Sequence, residues 1–266
     1  MSTCWATESY PLPNPCTKRW LLCIVTLPVL LLWSIPAAAA DKPLPFSIGE
    51  KLTYSVRWEM VRAGRAQFHV LPKTEHNGKS VWQFSLEVKS NRYVDMLYKI
   101  RDRLDGYTDT GFTHSVFYTK TQSGKDKKQI EVLFDWDKNS ATYSNFGGKR
   151  PPVDIPSNTF DPVSAFYKMR TTDLSPGQTL SFPITDGKKQ FMQTAKVVEK
   201  QTLHINGKDV ETFLIIPSVN HFSGVFKKSE NPTVRVWVSA DDKKIPIRIK
   251  VKVFIGSVIF SLENSN

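Results

Sequence analysis

Apolar and polar residues alternate along most of the chain after Glu50. In residues 245–255, isoleucine or valine at every second position alternates with proline, arginine and lysine, and the alternation resumes after Gly256-Ser257 as far as Leu262. A period of two places apolar side chains on one face of a strand and polar side chains on the other. The pattern therefore predicts a C-terminal β-hairpin with one buried face and one face in water.

Similar runs recur between short turn sequences such as Asn77-Gly78 and Asn206-Gly207. The further predicted strands cover residues 52–58, 66–71, 81–88, 98–107, 115–121, 129–136, 141–145, 179–184, 191–198, 203–205, 210–216 and 234–238. About a dozen closely spaced strands joined by short turns predict a mainly β fold. We expect a single curved antiparallel sheet or a half-open barrel.

One segment, residues 158–170, has helical periodicity instead. Its apolar residues recur at helical spacing, namely Phe160, Val163, Phe166, Tyr167 and Met169. Asp161 stands before Pro162, which places a capping side chain next to a residue favoured in the first helical turn. We predict a short helix capped by Asp161 that covers the apolar face of the sheet, and a second helical turn near residues 93–97.

The first 40 residues have the composition of an export signal. Lys18 and Arg19 precede an apolar run at residues 20–35, and four alanines follow at 37–40. These are the three parts of a secretory signal, and the run is shorter than the roughly 20 residues that span a bilayer. We predict a cleaved signal peptide, residues 1–40, and one β-rich periplasmic domain, residues 41–266, with no stable transmembrane span. An uncleaved anchor is the alternative.

Cleavage would change both the cysteine content and the charge. All three cysteines, Cys4, Cys16 and Cys23, lie in the predicted signal, so the mature chain would have no thiol chemistry. It would retain 34 basic and 24 acidic residues, a net charge of +10. This charge favours anionic partners such as lipid head groups or acidic glycans, although it also serves solubility. Export argues against nucleic acid as the partner.

The sequence contains no motif of a known reaction class. It has neither a phosphate-binding or dinucleotide-binding glycine loop nor a Gly-x-Ser-x-Gly elbow. The histidines stand singly, without the spacing of metal ligands, at His69, His76, His114, His204 and His221. We therefore predict no catalytic residue, no metal and no cofactor. An envelope hydrolase is a further alternative, and it would need converging carboxylates or histidines.

Three short motifs lie far apart in the chain. They are Gly49-Glu50-Lys51-Leu52-Thr53-Tyr54 with the later Ala63-Gly64; Phe160-Asp161-Pro162-Val163-Ser164-Ala165-Phe166-Tyr167; and Ile245-Pro246-Ile247-Arg248 leading to Gly256. Together they resemble the bacterial family called domain of unknown function 3108, whose members are exported envelope proteins. The resemblance covers nearly the whole mature chain and supplies no catalytic residues. The expected shape is similar to the half-barrels that carry lipoproteins across the periplasm, which is a likeness of fold only.

That likeness suggests a hydrophobic concavity that holds acyl chains. Its predicted aromatic lining is Trp58, Trp82, Phe84, Phe134, Phe191 and Trp237, joined by Phe222 and Phe226 from an apolar loop. Arg248, Lys250 and Lys252 would contact an anionic head group. Alternatively, the aromatic residues form a packed core, and the cations prevent edge-to-edge strand pairing.

Our leading hypothesis is a non-enzymatic periplasmic protein that binds a lipid or other amphipathic envelope component. The second hypothesis is an interaction or scaffold module that binds an envelope protein.

Overall fold

A computed structural model describes residues 43–124, 127–205, 207–220, 229–254 and 256–265. The predicted signal peptide lies outside the described residues, as do Phe222 and Phe226 of the predicted lining. Pro43–Asn266 form one compact unit.

The described part of the chain contains fifteen strands, paired antiparallel in one sheet, and two short helices. The strands are β1 Lys51–Trp58, β2 Val61–His76, β3 Lys79–Ser90, β4 Arg101–Asp109, β5 Ser115–Gln122, β6 Lys128–Asp135, β7 Ser140–Asn145, β8 Gly148–Lys149, β9 Val153–Asp154, β10 Thr179–Thr185, β11 Gln190–Ile205, β12 Lys208–Pro217, β13 Thr233–Ser239, β14 Pro246–Val253 and β15 Gly256–Ser265. The helices are α1 Arg92–Asp95 and α2 Pro162–Arg170.

The order of the strands follows from a series of hairpins. The sheet runs β10-β11-β12-β13-β14-β15-β1-β2-β3-β4-β5-β6-β7-β8, and β9 also pairs with β7. β1 pairs with β2 and with β15, so the first and last strands are neighbours. The sheet curves without closing. The predicted single curved antiparallel sheet with one or two short helices is therefore confirmed.

One face of the sheet, here called the inner face, carries the alternating apolar residues and contacts α2. On β1 this face presents Leu52, Tyr54 and Val56, all of which are buried. α2 contacts β3 and β4 on one side and β10 on the other, so the sheet wraps around the helix. The opposite face, the outer face, carries most of the charged residues, as expected for an antiparallel sheet with one wet side.

Aromatic side chains fill much of the space between α2 and strands β1–β7. Tyr167 of α2 lies with its ring centroid 4.3 Å from that of Phe84 and 5.1 Å from that of Phe46. A second, smaller core lies under β10–β13 and consists of Leu180, Val197, Ile215 and Val238. The helix therefore packs tightly on one side and loosely towards β10–β13.

A buried ion pair joins three distant parts of the chain. Arg170, the last residue of α2, is completely buried, and its guanidinium donates to both carboxylate oxygens of Glu50 at 2.6 and 2.9 Å. The same guanidinium donates to the carbonyls of Pro45 and Lys243. The first motif contains Glu50, α2 continues from the second, and Lys243 precedes the third, so the three motifs meet at one structural link.

Candidate ligand-binding cavity

An apolar cavity of about 660 Å³ lies between α2 and strands β10–β13. Its walls are formed by Pro162, Ala165, Phe166, Met169, Phe182, Ile184, Phe191, Gln193, Ala195, Ile215, Pro217 and Val236, with Lys120, Asp186 and Lys189 as the charged members. The lining is mostly apolar with a few polar groups, which is the usual composition of a ligand site.

The start of α2 is fixed by a buried hydrogen-bond network around Asp161. Its Oδ1 accepts from the backbone amides of Val163 and Ser164 at 2.8 and 2.9 Å. Its Oδ2 accepts from the Ser115 hydroxyl at 2.6 Å, which ties the helix to β5. Burial raises the pKa of Asp161, and these hydrogen bonds oppose the rise. Asp161 is thus the N-cap of α2 and positions the helical wall of the cavity.

Gly106 on β4 allows this close approach. A Cβ atom at Gly106 would lie 2.5 Å from Oδ1 of Asp161 and 2.7 Å from the Ser164 hydroxyl oxygen. Only a residue without a side chain leaves room for the helix N-terminus against the strand. The glycine on β4 and the cap on α2 therefore set the position of the helix together.

Phe166 forms the boundary between the filled core and the cavity. One side of its ring stacks on Phe68 of β2, with centroids 3.9 Å apart and planes 10° apart. Phe166 also borders the cavity, as does Met169, which packs against the second core. The helix therefore presents a hydrophobic wall that the main core holds rigid.

Lys120 on β5 is the most unusual member of the cavity wall. Its side chain is half-buried on the inner face, and within the described ranges no residue forms a hydrogen bond or ion pair with its ammonium group. Burial lowers the pKa of its ammonium group below the ordinary value of 10.5, and the charges of Lys128 and Lys188 add to this effect. Asp102 and Asp186 oppose it. An unpaired ammonium beside apolar walls can bind an anionic group.

The turn between β10 and β11 supplies the other charged wall residues. Asp186 Oδ1 accepts from the amides of Lys188 and Lys189, and the Thr185 hydroxyl accepts from the amide of Gly187. Gly187 has a positive φ of 79°, and a Cβ there would lie 2.7 Å from Val132. These contacts hold the turn against the inner face of β6, which places Asp186 and Lys189 at the cavity.

The structure distributes the predicted aromatic lining over several environments. Phe191 borders the cavity. Trp82 and Phe84 lie instead in the filled core, where both pack edge-on against Phe46. Phe134 stacks on Trp136 at the same core, and Trp58 is 40% exposed at the end of β1. The apolar cavity therefore lies beside β10–β13 and not under β1–β7, because α2 and its aromatic neighbours occupy the space under β1–β7.

Trp237 and the predicted head-group cations lie on the outer face. Trp237 on β13 pairs with Leu214 of β12 and with Arg248 of β14, while its neighbour Val236 faces the cavity. Lys250 and Lys252 share the side of Arg248 on β14. β14 lies between β13 and β15, so these cations do not protect a sheet edge either.

The cavity residues that sequence reasoning missed had weak signals. Lys120 stands in phase with Tyr118, which faces inward, but the alternation in β5 is too irregular to show which face is buried. Trp237 is the opposite case, because it was predicted to line the concavity but lies on the outer face. Its position in β13 is out of phase with the apolar residues Val234, Val236 and Val238, and this alternation indicates the outer face.

The described residues show neither a metal cluster nor a membrane-spanning helix. No group of three or more His, Cys, Asp or Glu side chains among them is arranged to hold a metal ion. Likewise, no helix in the described ranges is long and apolar enough to cross a membrane.

The fold and the cavity define a class of protein: an open antiparallel sheet curved around one helix, with an apolar cavity beside that helix. The chain belongs to the DUF3108 family, a family of proteins of unknown function, whose profile matches residues 53–263. The resemblance indicated by the three motifs is thus confirmed. No protein of curated function matches the chain.

Solved structures with a similar backbone have very different sequences. A β-barrel-like protein of domain of unknown function DUF1849 from Brucella abortus is 9% identical, with a TM-score of 0.49, over 82% of this chain and 97% of its own. A protein from Bacteroides fragilis, described as exported and YmcC-like in fold, is 10% identical, with a TM-score of 0.30, over 84% and 98%. A protein from Parabacteroides distasonis, described as a lipoprotein, is 10% identical, with a TM-score of 0.31, over 85% and 100%.

Proposed function

We propose that this protein is exported to the periplasm and binds the apolar part of an amphipathic envelope molecule in the cavity beside α2. The observation that carries the proposal is an apolar cavity of about 660 Å³ with an unpaired, half-buried lysine in its wall. The volume lies within the range of about 300–1,000 Å³ that is common for ligand sites.

The cavity chemistry favours a ligand with an acyl chain and an anionic head. Phe182, Phe191 and Ile215 offer apolar surface, while the amide nitrogen of Gln193 already donates to two backbone carbonyls. Burial of the apolar part is favourable by roughly 25 cal/mol per Å². A carboxylate or phosphate near Lys120 would restore a partner to its ammonium group and offset its lost hydration.

The location rests on the N-terminal sequence. The basic start, apolar run and alanine tract of residues 1–40 support export through a cleaved signal. A periplasmic protein meets lipids, lipoproteins and other amphipathic molecules in transit between membranes, which are ligands of the proposed kind.

The test compares a variant that fills the cavity with one that adds the same bulk elsewhere. Ala195→Trp places a large side chain in the cavity wall, whereas Met192→Trp places it at a 46% exposed position three residues earlier on β11. The full chain is expressed for export, purified from the periplasm, and analysed by native mass spectrometry, lipid extraction and titration with dansylaminoundecanoate.

We expect the unaltered protein and Met192→Trp to carry a copurifying amphiphile and to bind the probe. We expect Ala195→Trp to lose both while it unfolds cooperatively. The proposal fails if the unaltered protein carries no amphiphile and does not bind the probe. It also fails if the folded Ala195→Trp variant binds as well as Met192→Trp does.

A further inference from the structure

Exposed apolar side chains are concentrated at one end of the central strands, where β1, β3 and β14 end and β2, β4 and β15 begin. The described residues include thirteen large hydrophobic side chains that are exposed, and eight of them lie at this end of the strands. We call these eight the apolar edge: Trp58, Met60, Val61, Tyr93, Met96, Leu97, Tyr98 and Phe254. Met60, Met96 and Leu97 are 83%, 84% and 78% exposed. Such a concentration on the surface is unusual for a protein that has no apolar partner.

The three connections that carry the apolar edge are direct neighbours. The β1–β2 turn contacts the start of β15, because the Glu59 amide donates to the Ser257 carbonyl at 2.8 Å. The α1 connection contacts the start of β2, because the Asn91 amide donates to the Ala63 carbonyl at 2.8 Å. The exposed residues therefore form one continuous rim.

α1 is held firmly at this edge. Asn91 caps the helix by accepting from the amides of Tyr93 and Val94. Arg101 donates to the two carboxylate oxygens of Asp95 at 3.1 and 2.6 Å. The exposed position of Met96 and Leu97 thus follows from an ordered connection whose polar groups bond to β3 and β4.

Cations lie directly behind the rim on the outer face. Arg57 pairs in register with Arg62, and both are exposed. On β13 and β14, Arg235 pairs with Lys250, and Lys252 is also exposed.

Most of these charges are unbalanced. Among the described residues, none makes an ion pair with Arg57, Arg235, Lys250 or Lys252. Three acidic side chains lie nearby: Glu263 bonds to Arg62 and Arg65, Glu59 accepts from the Ser257 amide, and Glu230 follows Ser229, whose hydroxyl oxygen accepts from the Phe254 amide. The region behind the rim therefore has an excess of positive charge.

We propose that the apolar edge docks on a bilayer surface that contains anionic lipid. Protruding Met, Leu, Tyr and Trp side chains suit shallow insertion at the level of the head groups, and cations behind them suit lipid phosphates. The apolar residues project from separate turns, which fits a deformable bilayer better than a flat protein surface. The inference does not require the cavity to bind a ligand.

The edge also lies near the proposed ligand site. Ser123, which follows β5, donates from its amide to the carbonyl of Arg101, next to the α1 connection. Lys120 lies two residues before the end of β5 on the inner face. Docking at this edge would bring the end of β5 that carries Lys120 towards the membrane.

Vesicle flotation tests the proposal on the full chain purified after export. The vesicles contain either phosphatidylcholine alone or phosphatidylcholine with phosphatidylglycerol. The edge variant combines Met60→Ser, Met96→Ser and Leu97→Ser. The control variant combines Ile48→Ser, Leu133→Ser and Val198→Ser, which are exposed apolar positions away from that end of the strands. All six positions are exposed, so both variants should fold, and thermal unfolding verifies this.

We expect the unaltered and control proteins to float with the anionic vesicles and the edge variant to bind at least about tenfold more weakly. Lys250→Gln with Lys252→Gln should weaken binding to anionic vesicles and reduce its dependence on salt.

Equal binding by the edge and control variants would overturn the proposal, as would the absence of binding by the unaltered protein. Self-association that only the edge variant loses would instead identify an interface between copies. Ala195→Trp should retain vesicle binding, so failure of the cavity proposal is distinguishable.

Discussion

The buried pair between Glu50 and Arg170 gives a sharp test of how α2 is held inside the sheet. Arg170 is 0% exposed and Glu50 is 8% exposed. The guanidinium donates to both oxygens of the Glu50 carboxylate and to the carbonyls of Pro45 and Lys243. Removing the arginine therefore leaves one buried charge without its partner and two partly buried carbonyl oxygens without their donors.

The expected magnitudes follow from this geometry. Breaking a buried pair by removing one partner costs about 3–5 kcal/mol. We expect Arg170→Met to lie at the upper end of that range, because the two carbonyls also lose their donors. Glu50→Gln should lie near the lower end, because Arg170 still donates hydrogen bonds to the carbonyls of Pro45 and Lys243. The double variant Glu50→Leu with Arg170→Met should cost less than Arg170→Met alone, since no uncompensated charge remains buried.

The assay is urea unfolding followed by circular dichroism, with fitted slopes that verify two-state behaviour. Lys200→Gln breaks the exposed pair with Glu211 and serves as the control, for which we expect no resolvable change. Loss of about 1 kcal/mol or less in Arg170→Met would refute the reasoning, because it would mean that the site is hydrated or readily rearranged. A double variant that is less stable than either single variant would refute the account of the buried charge.

Three further predictions concern the helix, the cavity and α1. Gly106→Ala should lower the free energy of unfolding by about 1–3 kcal/mol, because its Cβ would overlap Asp161; urea unfolding measures this, and an unchanged midpoint would contradict it. Lys120→Met should leave the empty protein equally or more stable, because burial lowers the pKa of that ammonium group, and should weaken dansylaminoundecanoate binding by about tenfold. Titration measures the affinity, and equal affinity would exclude a role for the charge. Hydrogen bonds from Arg101, together with one from the Ser90 hydroxyl, lower the pKa of Asp95 below its ordinary value of 3.8. The stability that Asp95 gives to α1 is therefore fully present above pH 3.8 and is lost as the pH falls through the lowered pKa. Amide exchange should then show selective loss of protection in α1, and uniform protection would contradict this.

The local elements were predictable because the forces behind them act over a few residues. Alternation in residues 245–262 specified the β14–β15 hairpin, and Asp161-Pro162 specified the start of α2. The predicted helix at residues 158–170 began four residues too early, because Phe160 instead forms a bridge with Ile184 of β10. β11 is continuous where the sequence suggested two strands, since a bulge between Val197 and Glu199 accommodates the break in alternation.

The position of the cavity could not be predicted from the sequence as the strands and the helix were. Alternation indicates which residues of one strand share a face, but the position of α2 decides which part of that face is filled. Trp82, Phe84 and Phe191 all occupy apolar positions in strands with alternating residues. Trp82 and Phe84 nevertheless pack against Phe46, whereas Phe191 borders the cavity. The partners of an aromatic residue depend on the curvature of the sheet, which accumulates over many strands.

The sequence by itself determined the strands, the capped helix, the basic charge and the family motifs, because each depends on local pattern or composition. The tertiary structure decided where these parts meet. It joined Glu50 to Arg170, left Lys120 unpaired beside an apolar cavity, and gathered Met60, Met96 and Phe254 in the apolar edge. These arrangements depend on the pairing of strands distant in sequence and on the space left around α2, neither of which is set by neighbouring residues.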